Sequence, residues 1–370
     1  MWLEKPTEKD SAACAVVGVM DTSGRRFNGE DVTCSMALMH ERSNGLGGGF
    51  AAYGIYPDYR ELYAFHIMYL DTQCRYSTEE YLKSRFNIIV SERIPTRPNA
   101  NITDPPVLWR YFVEVAPRSR EEIKGLSDDE FVVKTVMFIN DTLKGAYVFS
   151  SGRNMGVFKG MAYAEHLADF FMLEEYKGYQ WIAHGRFPTN TVGWWGGAHP
   201  FNLLDLSVVH NGELSSYGTN KRHLEMFGYT CTLMTDTEVV AYAMHLLLRR
   251  HNLPLDLICK VMAPPLWDDI DRMGEEEREV YTALRQVYSS LLFNGPFSFI
   301  MSSADLMVGL TDRIRLRPLV AATAGDLAYV ATEEAAIRLI CAEPDEVWYP
   351  KGGEPAIARL KETAGETVSA

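Results

Sequence analysis

The chain has 370 residues, of which 47% are hydrophobic and 12% aromatic, a composition typical of a globular protein with a large core. Its formal net charge of −13 repels nucleic acids and anionic membrane surfaces, so neither is expected as a partner. The sequence shows no apolar leader and no run of about 18 apolar residues, which predicts a cytoplasmic protein without a membrane span. The six cysteines are scattered without a CxxC pair, so neither a disulfide framework nor a cysteine metal site is expected.

Short apolar runs along the whole chain predict β-strands. The predicted strands cover 14–20, 49–56, 60–69, 107–115, 146–150, 155–159, 179–184, 206–210, 296–302, 306–310, 319–323 and 327–331. Serine or threonine followed three residues later by glutamate, as in a capping box, marks helix starts at Ser77, Ser127 and Thr235. The predicted helices cover 78–87, 128–143, 236–250, 275–292 and 333–341.

The predicted elements do not alternate as regular βαβ units. A parallel doubly wound sheet is therefore disfavoured, and we predict an α+β fold with helices layered on largely antiparallel sheets. The stretch 88–106 is rich in proline, which predicts an irregular loop.

Cys14 begins the strand-like run CAVVGVM. A single cysteine at the start of a strand is more often a small buried core residue. If residues 1–13 were removed, however, its own α-amino group would lie beside the thiol as a general base. A cysteine of ordinary pKa needs such help to act as a nucleophile at neutral pH. Ala12 and Ala13 offer a sterically open cleavage point.

Two charged residues could hold the two ends of a free amino acid. Arg186, in HGRFPTNT, is either a surface arginine or a planar grip for a carboxylate, to which Thr189 could add a hydroxyl. Asp236, in TDTEVV, either complements the dipole of its helix or binds an ammonium group. With a cysteine nucleophile, this pair would suit attack on the side-chain amide of an amino acid.

Asn211 and Gly212, in VVHNGE, also have two interpretations. Asn-Gly is the commonest dipeptide of tight turns. Alternatively, glycine lets the backbone approach a ligand, so that its N–H and the asparagine amide can stabilise an oxyanion. His184, His199 and His210 lie near these motifs without the spacing of metal ligands, and no metal is expected.

These motifs resemble those of the class II glutamine amidotransferases, which are N-terminal nucleophile (Ntn) hydrolases. The resemblance is carried by CAVVGVM, HGRFPTNT, AHPFNLLDLSVVHNGE, TDTEVVAYAM, DRIRLRPL and ATEEAA. Within that class the chain resembles most the glutaminase domain of glutamate synthase, in the stand-alone form of archaeal-type enzymes, and 146–171 resembles glutamate synthase specifically. The resemblance implies a propeptide over 1–13, a four-layer αββα sandwich over 14–360 with an αβ insertion near 75–145, and a tail over 361–370.

The resemblance also implies a set of site residues: Cys14, Asn211 and Gly212 for catalysis, and Arg186, Thr189, His199 and Asp236 for binding L-glutamine. The chain departs from the family pattern at Ala15, where the family usually has glycine. It also departs at Cys14, which does not directly follow the initiator methionine.

A glutaminase alone would waste ammonia, so the resemblance implies a flavin-dependent glutamate synthase subunit as partner. FMN and an iron–sulfur cluster are expected on partner subunits, and no cofactor is expected in this chain. Other functions stay open at this point. The chain could serve an N-methylglutamate-type synthase, or it could be an unprocessed, catalytically silent subunit that binds glutamine or supports assembly. It could also be an Ntn amidase or acylase that acts on another substrate.

Overall fold

A computed structural model describes residues 13–122, 125–187 and 193–361 of the chain. The expected propeptide and tail therefore lie outside the described residues, apart from Ala13 and Lys361. The strands are β1 Ala15–Asp21, β2 Phe27–Asn28, β3 Gly48–Tyr53, β4 Tyr63–Tyr69, β5 Phe86–Arg93, β6 Val107–Val115, β7 Ala146–Ser150, β8 Met155–Gly160, β9 Lys177–Gly178, β10 Gln180–Gly185, β11 Phe201–Leu203, β12 Leu206–Gly212, β13 Phe297–Ser302, β14 Leu306–Thr311, β15 Val320–Ala324, β16 Leu327–Ala331, β17 Glu346–Trp348 and β18 Ala356–Arg359. The α-helices are α1 Glu30–Leu38, α2 Thr72–Arg85, α3 Pro117–Glu122, α4 Asp128–Thr142, α5 Ala164–Phe170, α6 Tyr217–Met226, α7 Asp236–His245, α8 Leu255–Met262, α9 Trp267–Ile270, α10 Glu275–Val287 and α11 Glu334–Ile340.

Two large antiparallel sheets form the centre of the fold. The larger has seven strands in the order β17-β15-β16-β1-β10-β3-β8, and the second has five in the order β11-β12-β13-β14-β18. They pack face to face, with β1 and β10 against β12 and β13. At Gly18 the sheets approach so closely that an added Cβ would lie 2.7 Å from Met307 Sδ and 3.3 Å from Ile300 Cγ2. Only glycine fits this contact without displacing its neighbours.

Helices cover both outer faces of this pair of sheets. Helices α1, α5 and α11 pack on the seven-stranded sheet, and α7 packs on the five-stranded sheet. The arrangement is therefore the four-layer αββα sandwich, and the predicted α+β class is confirmed. Among the described residues, no helix is long and apolar enough to cross a membrane.

A further antiparallel sheet, in the order β5-β6-β4-β7, lies beside the sandwich. Two of its strands, β5 and β6, lie in the part of the chain between β4 and β7, together with α2, α3 and α4. Buried side chains of this sheet and of α4 share one hydrophobic cluster with the outer face of the five-stranded sheet and with α7.

Most predicted strands are confirmed, but two predictions around the extra sheet are wrong. The stretch 88–106 was predicted as a loop, yet β5 (Phe86–Arg93) occupies its first residues and pairs with β6. Its side chains alternate between more and less exposed positions, and the prolines come only after it. The helix predicted from residue 78 begins at Thr72, because Asp71 rather than Ser77 accepts the capping hydrogen bond, from Cys74 N at 2.8 Å.

Candidate active site

Strand pairing places Cys14 beside the arginine motif. Cys14 directly precedes β1, and Ala15 pairs with Gly185 at the end of β10. The chain after Gly185 therefore runs alongside Cys14, and Phe187 N–H donates to Cys14 Sγ at 3.4 Å. Val16, two residues after Cys14, is fixed by Thr332, whose hydroxyl accepts from its N–H at 2.9 Å. Two motifs far apart in sequence thus form one local structure.

The thiol of Cys14 lies among charges of both signs. Burial raises its pKa, while the Phe187 N–H and the positive charges of Arg186 and Arg317 lower it. The negative charge of Asp236 acts in the same direction as burial. Because the net effect is upward, the sulfur is protonated at neutral pH and needs a base to become a nucleophile.

Arg186 directly follows β10 and is buried, with only 4% of its surface exposed. Its backbone is held on both sides, since its N–H donates to Gly47 O at 2.9 Å and its carbonyl accepts from Ser43 Oγ at 2.9 Å. Burial lowers the pKa of its guanidinium, while the charges of Cys14 and Asp236 oppose that shift. The interpretation of Arg186 as a surface arginine is therefore wrong.

Asp236 occupies the first turn of α7, where Thr235 caps the helix by accepting from Glu238 N at 3.2 Å. Its Oδ2 accepts from Leu214 N at 3.0 Å, and its Oδ1 lies 3.5 Å from His210 Nδ1. Burial acts to raise the pKa of Asp236, but its contacts with His210 and Leu214 outweigh burial and hold the pKa below its usual value. The carboxylate is therefore ionised, and it lies close enough to influence Cys14 and Arg186.

The three histidines noted in the sequence lie together behind Asp236. Thr237 Oγ1 is within hydrogen-bonding distance of both His199 Nε2, at 3.1 Å, and His210 Nδ1, at 3.2 Å. The rings of His184 and His199 stack with their centroids 4.0 Å apart. Burial lowers the pKa of His184 to about 3 and that of His199 well below its usual value, so both rings are neutral at physiological pH. Thr237 was not predicted, although it directly follows Asp236 in the sequence.

Asn211 and Gly212 form the end of β12 and do not make a hairpin turn. They pair with Ser298 and Phe297 of β13. The side chain of Asn211 is completely buried, and neither its Nδ2 nor its Oδ1 has a hydrogen-bond partner among the described residues. Gly212 has a φ of +147°, and an added Cβ would lie 2.0 Å from Pro296 O, so only glycine fits.

Two arginines near the nucleophile were missed as site residues. Arg42 Nε donates to Cys14 O at 3.2 Å, and its Nη1 pairs with Glu333 Oε1 at 2.6 Å. Arg317 contributes positive charge at the thiol from a loop in which Asp312 accepts several backbone N–H groups. Arg317 lies in DRIRLRPL, one of the motifs that carry the family resemblance. No periodicity marks a loop arginine as close to a distant cysteine.

The described residues thus bring together Cys14, Arg186 and Asp236, and place His199 next to Asp236 through Thr237. Thr189 lies outside the described residues. In the part of the chain that is described, no group of three or more histidine, cysteine, aspartate or glutamate side chains is arranged to hold a metal.

Comparison with known proteins shows similarity to one class of enzymes. Residues 100–231 match the family model of the class II glutamine amidotransferases, a span that includes Arg186 and Asn211 but neither Cys14 nor Asp236. The chain is therefore class II glutamine amidotransferase-like.

Individual relatives extend over most of the chain. An uncharacterized protein of Archaeoglobus fulgidus is 55% identical over 357 residues, which cover 96% of this chain and 94% of that protein, so the two belong to one family. A provisionally named glutamine amidotransferase of Methanothermobacter thermautotrophicus is 26% identical over 332 residues, covering 88% of this chain and 93% of that protein. Among solved structures, the glutamine phosphoribosylpyrophosphate amidotransferase of Bacillus subtilis aligns with a TM-score of 0.43 at 15% identity. That alignment covers 95% of this chain and 50% of the B. subtilis chain.

Proposed function

We propose that this chain is a glutaminase subunit, which hydrolyses L-glutamine to glutamate and ammonia through a thioester on Cys14. A separate flavin-dependent glutamate synthase subunit would receive the ammonia, with FMN and an iron–sulfur cluster on the partner subunits. One observation carries the hydrolytic part of the proposal. A thiol, a buried guanidinium and an ionised carboxylate, from three distant motifs, lie within electrostatic reach of one another.

The two charged groups would select a free amino acid. Arg186 would bind the α-carboxylate of glutamine with its planar guanidinium, and Asp236 would bind the α-ammonium group. Both side chains are largely removed from water, which strengthens their interaction with a charged ligand. This pair would favour a free amino acid over an acylase substrate, because a substrate without a free zwitterion would leave one charge unmatched.

In the proposed reaction, the thiol of Cys14 passes its proton to the α-amino group that cleavage after Ala13 would expose. The sulfur then attacks the side-chain carbonyl carbon, and a C–S bond forms. The resulting oxyanion would accept hydrogen bonds from Asn211 Nδ2 and Gly212 N–H. A buried amide without a partner among the described residues supports this role for Asn211.

The tetrahedral intermediate would collapse as the C–N bond breaks. The protonated α-amino group would return its proton to the leaving nitrogen, which departs as ammonia. Water would then attack the thioester carbon, and the C–S bond would break to release glutamate and restore the thiol. Every proton transfer in this sequence uses the same α-amino group, so the proposed activity depends on removal of residues 1–13.

If residues 1–13 stayed attached, the nitrogen of Cys14 would be an amide and could not act as a base. The raised pKa of the thiol would then favour a silent, glutamine-binding subunit. A second alternative keeps the glutaminase reaction but transfers the ammonia to an N-methylglutamate-type synthase. Purification of the native complex, followed by identification of the aminated product, separates the two synthase partners.

Replacement of the nucleophile tests the proposed reaction. Cys14→Ala should abolish glutamine hydrolysis but leave synthesis from added ammonia by the native complex intact. The exposed Cys34 provides a matched control, since Cys34→Ala should keep wild-type hydrolysis. Glutaminase activity that survives in Cys14→Ala would mean that another group is the nucleophile.

A further inference from the structure

Lys159 is a lysine buried within a β-strand. It lies in β8, and only 1% of its surface is exposed. Its Nζ donates to Gly196 O at 3.0 Å and to Ala198 O at 2.9 Å, and lies 4.3 Å from the centroid of the Phe201 ring. Moving an ammonium group out of water is unfavourable, and a methionine would fill a similar volume without that cost. We therefore expect Lys159 to have a role that requires its hydrogen-bond donors.

The backbone that Lys159 holds lies against the site. Gly197 stands between the two carbonyl acceptors, and an ideal Cβ on it would lie 3.5 Å from Arg186 Nη1. His199 directly follows Ala198 and reaches Thr237 at 3.1 Å. The segment 196–199 therefore passes close to the guanidinium, and its last residue contacts the neighbour of Asp236.

Glu238 in α7 is a second buried ionisable residue, and it lies within electrostatic reach of Lys159. Glu238 lies two residues after Asp236, and its carboxylate accepts from Thr232 N at 3.2 Å and Leu233 N at 3.0 Å. Burial lowers the pKa of Lys159 to about 7, and the charge of Glu238 opposes this shift while that of Arg186 adds to it. Burial raises the pKa of Glu238 to about 7, and the charge of Lys159 opposes that shift. Each charge therefore favours the ionised form of the other.

We propose that Lys159 is a positioning residue for the carboxylate end of the substrate. Its ammonium group holds the backbone of 196–198 against Arg186, and so fixes the guanidinium in the orientation that binds the α-carboxylate of glutamine. Without the ammonium group, two buried carbonyl oxygens would lack their donor, which is unfavourable. The segment would turn to find other donors, and Gly197 would move relative to the guanidinium. This inference rests on the proposed glutaminase function.

The experiment compares three substrates with wild type and Lys159→Met. They are glutamine, 4-aminobutanamide, which lacks the α-carboxylate, and glutaric acid monoamide, which lacks the α-amino group. Lys159→Met should raise KM for glutamine at least about tenfold with kcat changed less than about threefold, because the positioned charge binds substrate and transition state alike. The preference for glutamine over 4-aminobutanamide should fall by a similar factor, whereas the preference over glutaric acid monoamide should stay.

Asn202→Ala is the control for a general loss of stability. Asn202 is buried and hydrogen-bonded, but none of its hydrogen bonds reaches the site residues. This variant should lose stability and keep both preferences. Lys159→Arg keeps the charge and the hydrogen-bond donors, so its KM for glutamine should rise less than that of Lys159→Met. If Lys159→Met does not fold, as judged by thermal melting, Lys159→Gln is measured by the same two preferences.

The outcomes separate this inference from the proposed function. If the processed wild type does not hydrolyse glutamine, the proposed function fails. If wild type is active and the folded lysine variants keep the wild-type KM and the full preference for the α-carboxylate, Lys159 has no positioning role. An equal loss of both preferences would also overturn the inference, since it would show general damage to the site.

Discussion

Replacement of Asn211 should affect catalysis strongly and stability little. Its buried amide has no hydrogen-bond partner among the described residues. Burying such a group costs about 1–3 kcal/mol, so Asn211→Ala removes that cost while it loses packing of comparable size. We therefore expect the free energy of unfolding to change by less than about 1 kcal/mol. The loss of an oxyanion donor should lower kcat about 10²–10³-fold, roughly 3–4 kcal/mol, with little change in KM.

Asn202 supplies the matched control for this prediction. It is also a buried asparagine, but its Nδ2 donates to Leu204 O at 2.7 Å and Leu206 O at 3.0 Å, and its Oδ1 accepts from Ser151 N at 2.9 Å. Asn202→Ala leaves these groups without partners, so it should lose at least about 2 kcal/mol of stability and keep kcat.

Urea denaturation and steady-state glutamine hydrolysis measure the two responses in the same preparations. Asn211 is not an oxyanion donor if Asn211→Ala is destabilised as much as Asn202→Ala while its kcat stays at the wild-type value. That result would mean that Asn211 has a structural role and that its hydrogen-bond partners lie outside the described residues.

The other predictions concern the charges around the thiol. Asp236→Ala should raise KM for glutamine more than it lowers kcat, and should lose most of the preference over glutaric acid monoamide; a full preference would mean that the carboxylate only complements its helix. Arg186→Lys keeps the charge but loses the planar fork, so KM should still rise, and an unchanged KM would rule out bidentate binding. Arg317→Gln removes a positive charge that lowers the pKa of the Cys14 thiol, so alkylation by iodoacetamide at neutral pH should slow; an unchanged rate would show that this charge does not reach the sulfur. Because burial lowers the pKa of His184 to about 3, the ring stays neutral in the folded protein, whereas in the unfolded chain it takes up a proton below about pH 6.5. The stability that the neutral ring contributes is therefore complete above about pH 6.5 and is lost as the pH falls. In urea denaturation between about pH 6 and pH 4, His184→Gln should therefore reduce the loss of unfolding free energy by about 1.4 kcal/mol per pH unit, and an unchanged slope would contradict a neutral buried ring.

Much of the fold follows from apolar runs in the sequence. Strands β6, β7 and β16 have the predicted bounds, because each is a run of residues that bury themselves in a sheet. Strand β5 was missed because only alternate side chains are partly buried, and the prolines that follow drew the prediction towards a loop. The start of α2 was misplaced because Asp71 caps it without the glutamate of a capping box.

The candidate site could be predicted only in part. The sequence pointed to Cys14 and Arg186 separately, but their contact depends on the pairing of β1 with β10, which no local pattern encodes. Lys159 was missed because it stands within the apolar run of β8, where a lysine usually faces water. Its burial depends on carbonyl groups of a distant loop, and these are visible only in the folded chain.

The central claim is that Cys14 becomes the N-terminal nucleophile of the active protein. The most direct test treats purified native protein with a glutamine analogue that carries a diazoketone in place of the amide, and then identifies the N-terminus and the labelled residue by mass spectrometry. We expect active protein to begin at Cys14, and loss of glutaminase activity to parallel the formation of one adduct on the Cys14 sulfur. Full activity in protein that begins at Met1, or inactivation by an adduct on any other residue, would contradict it.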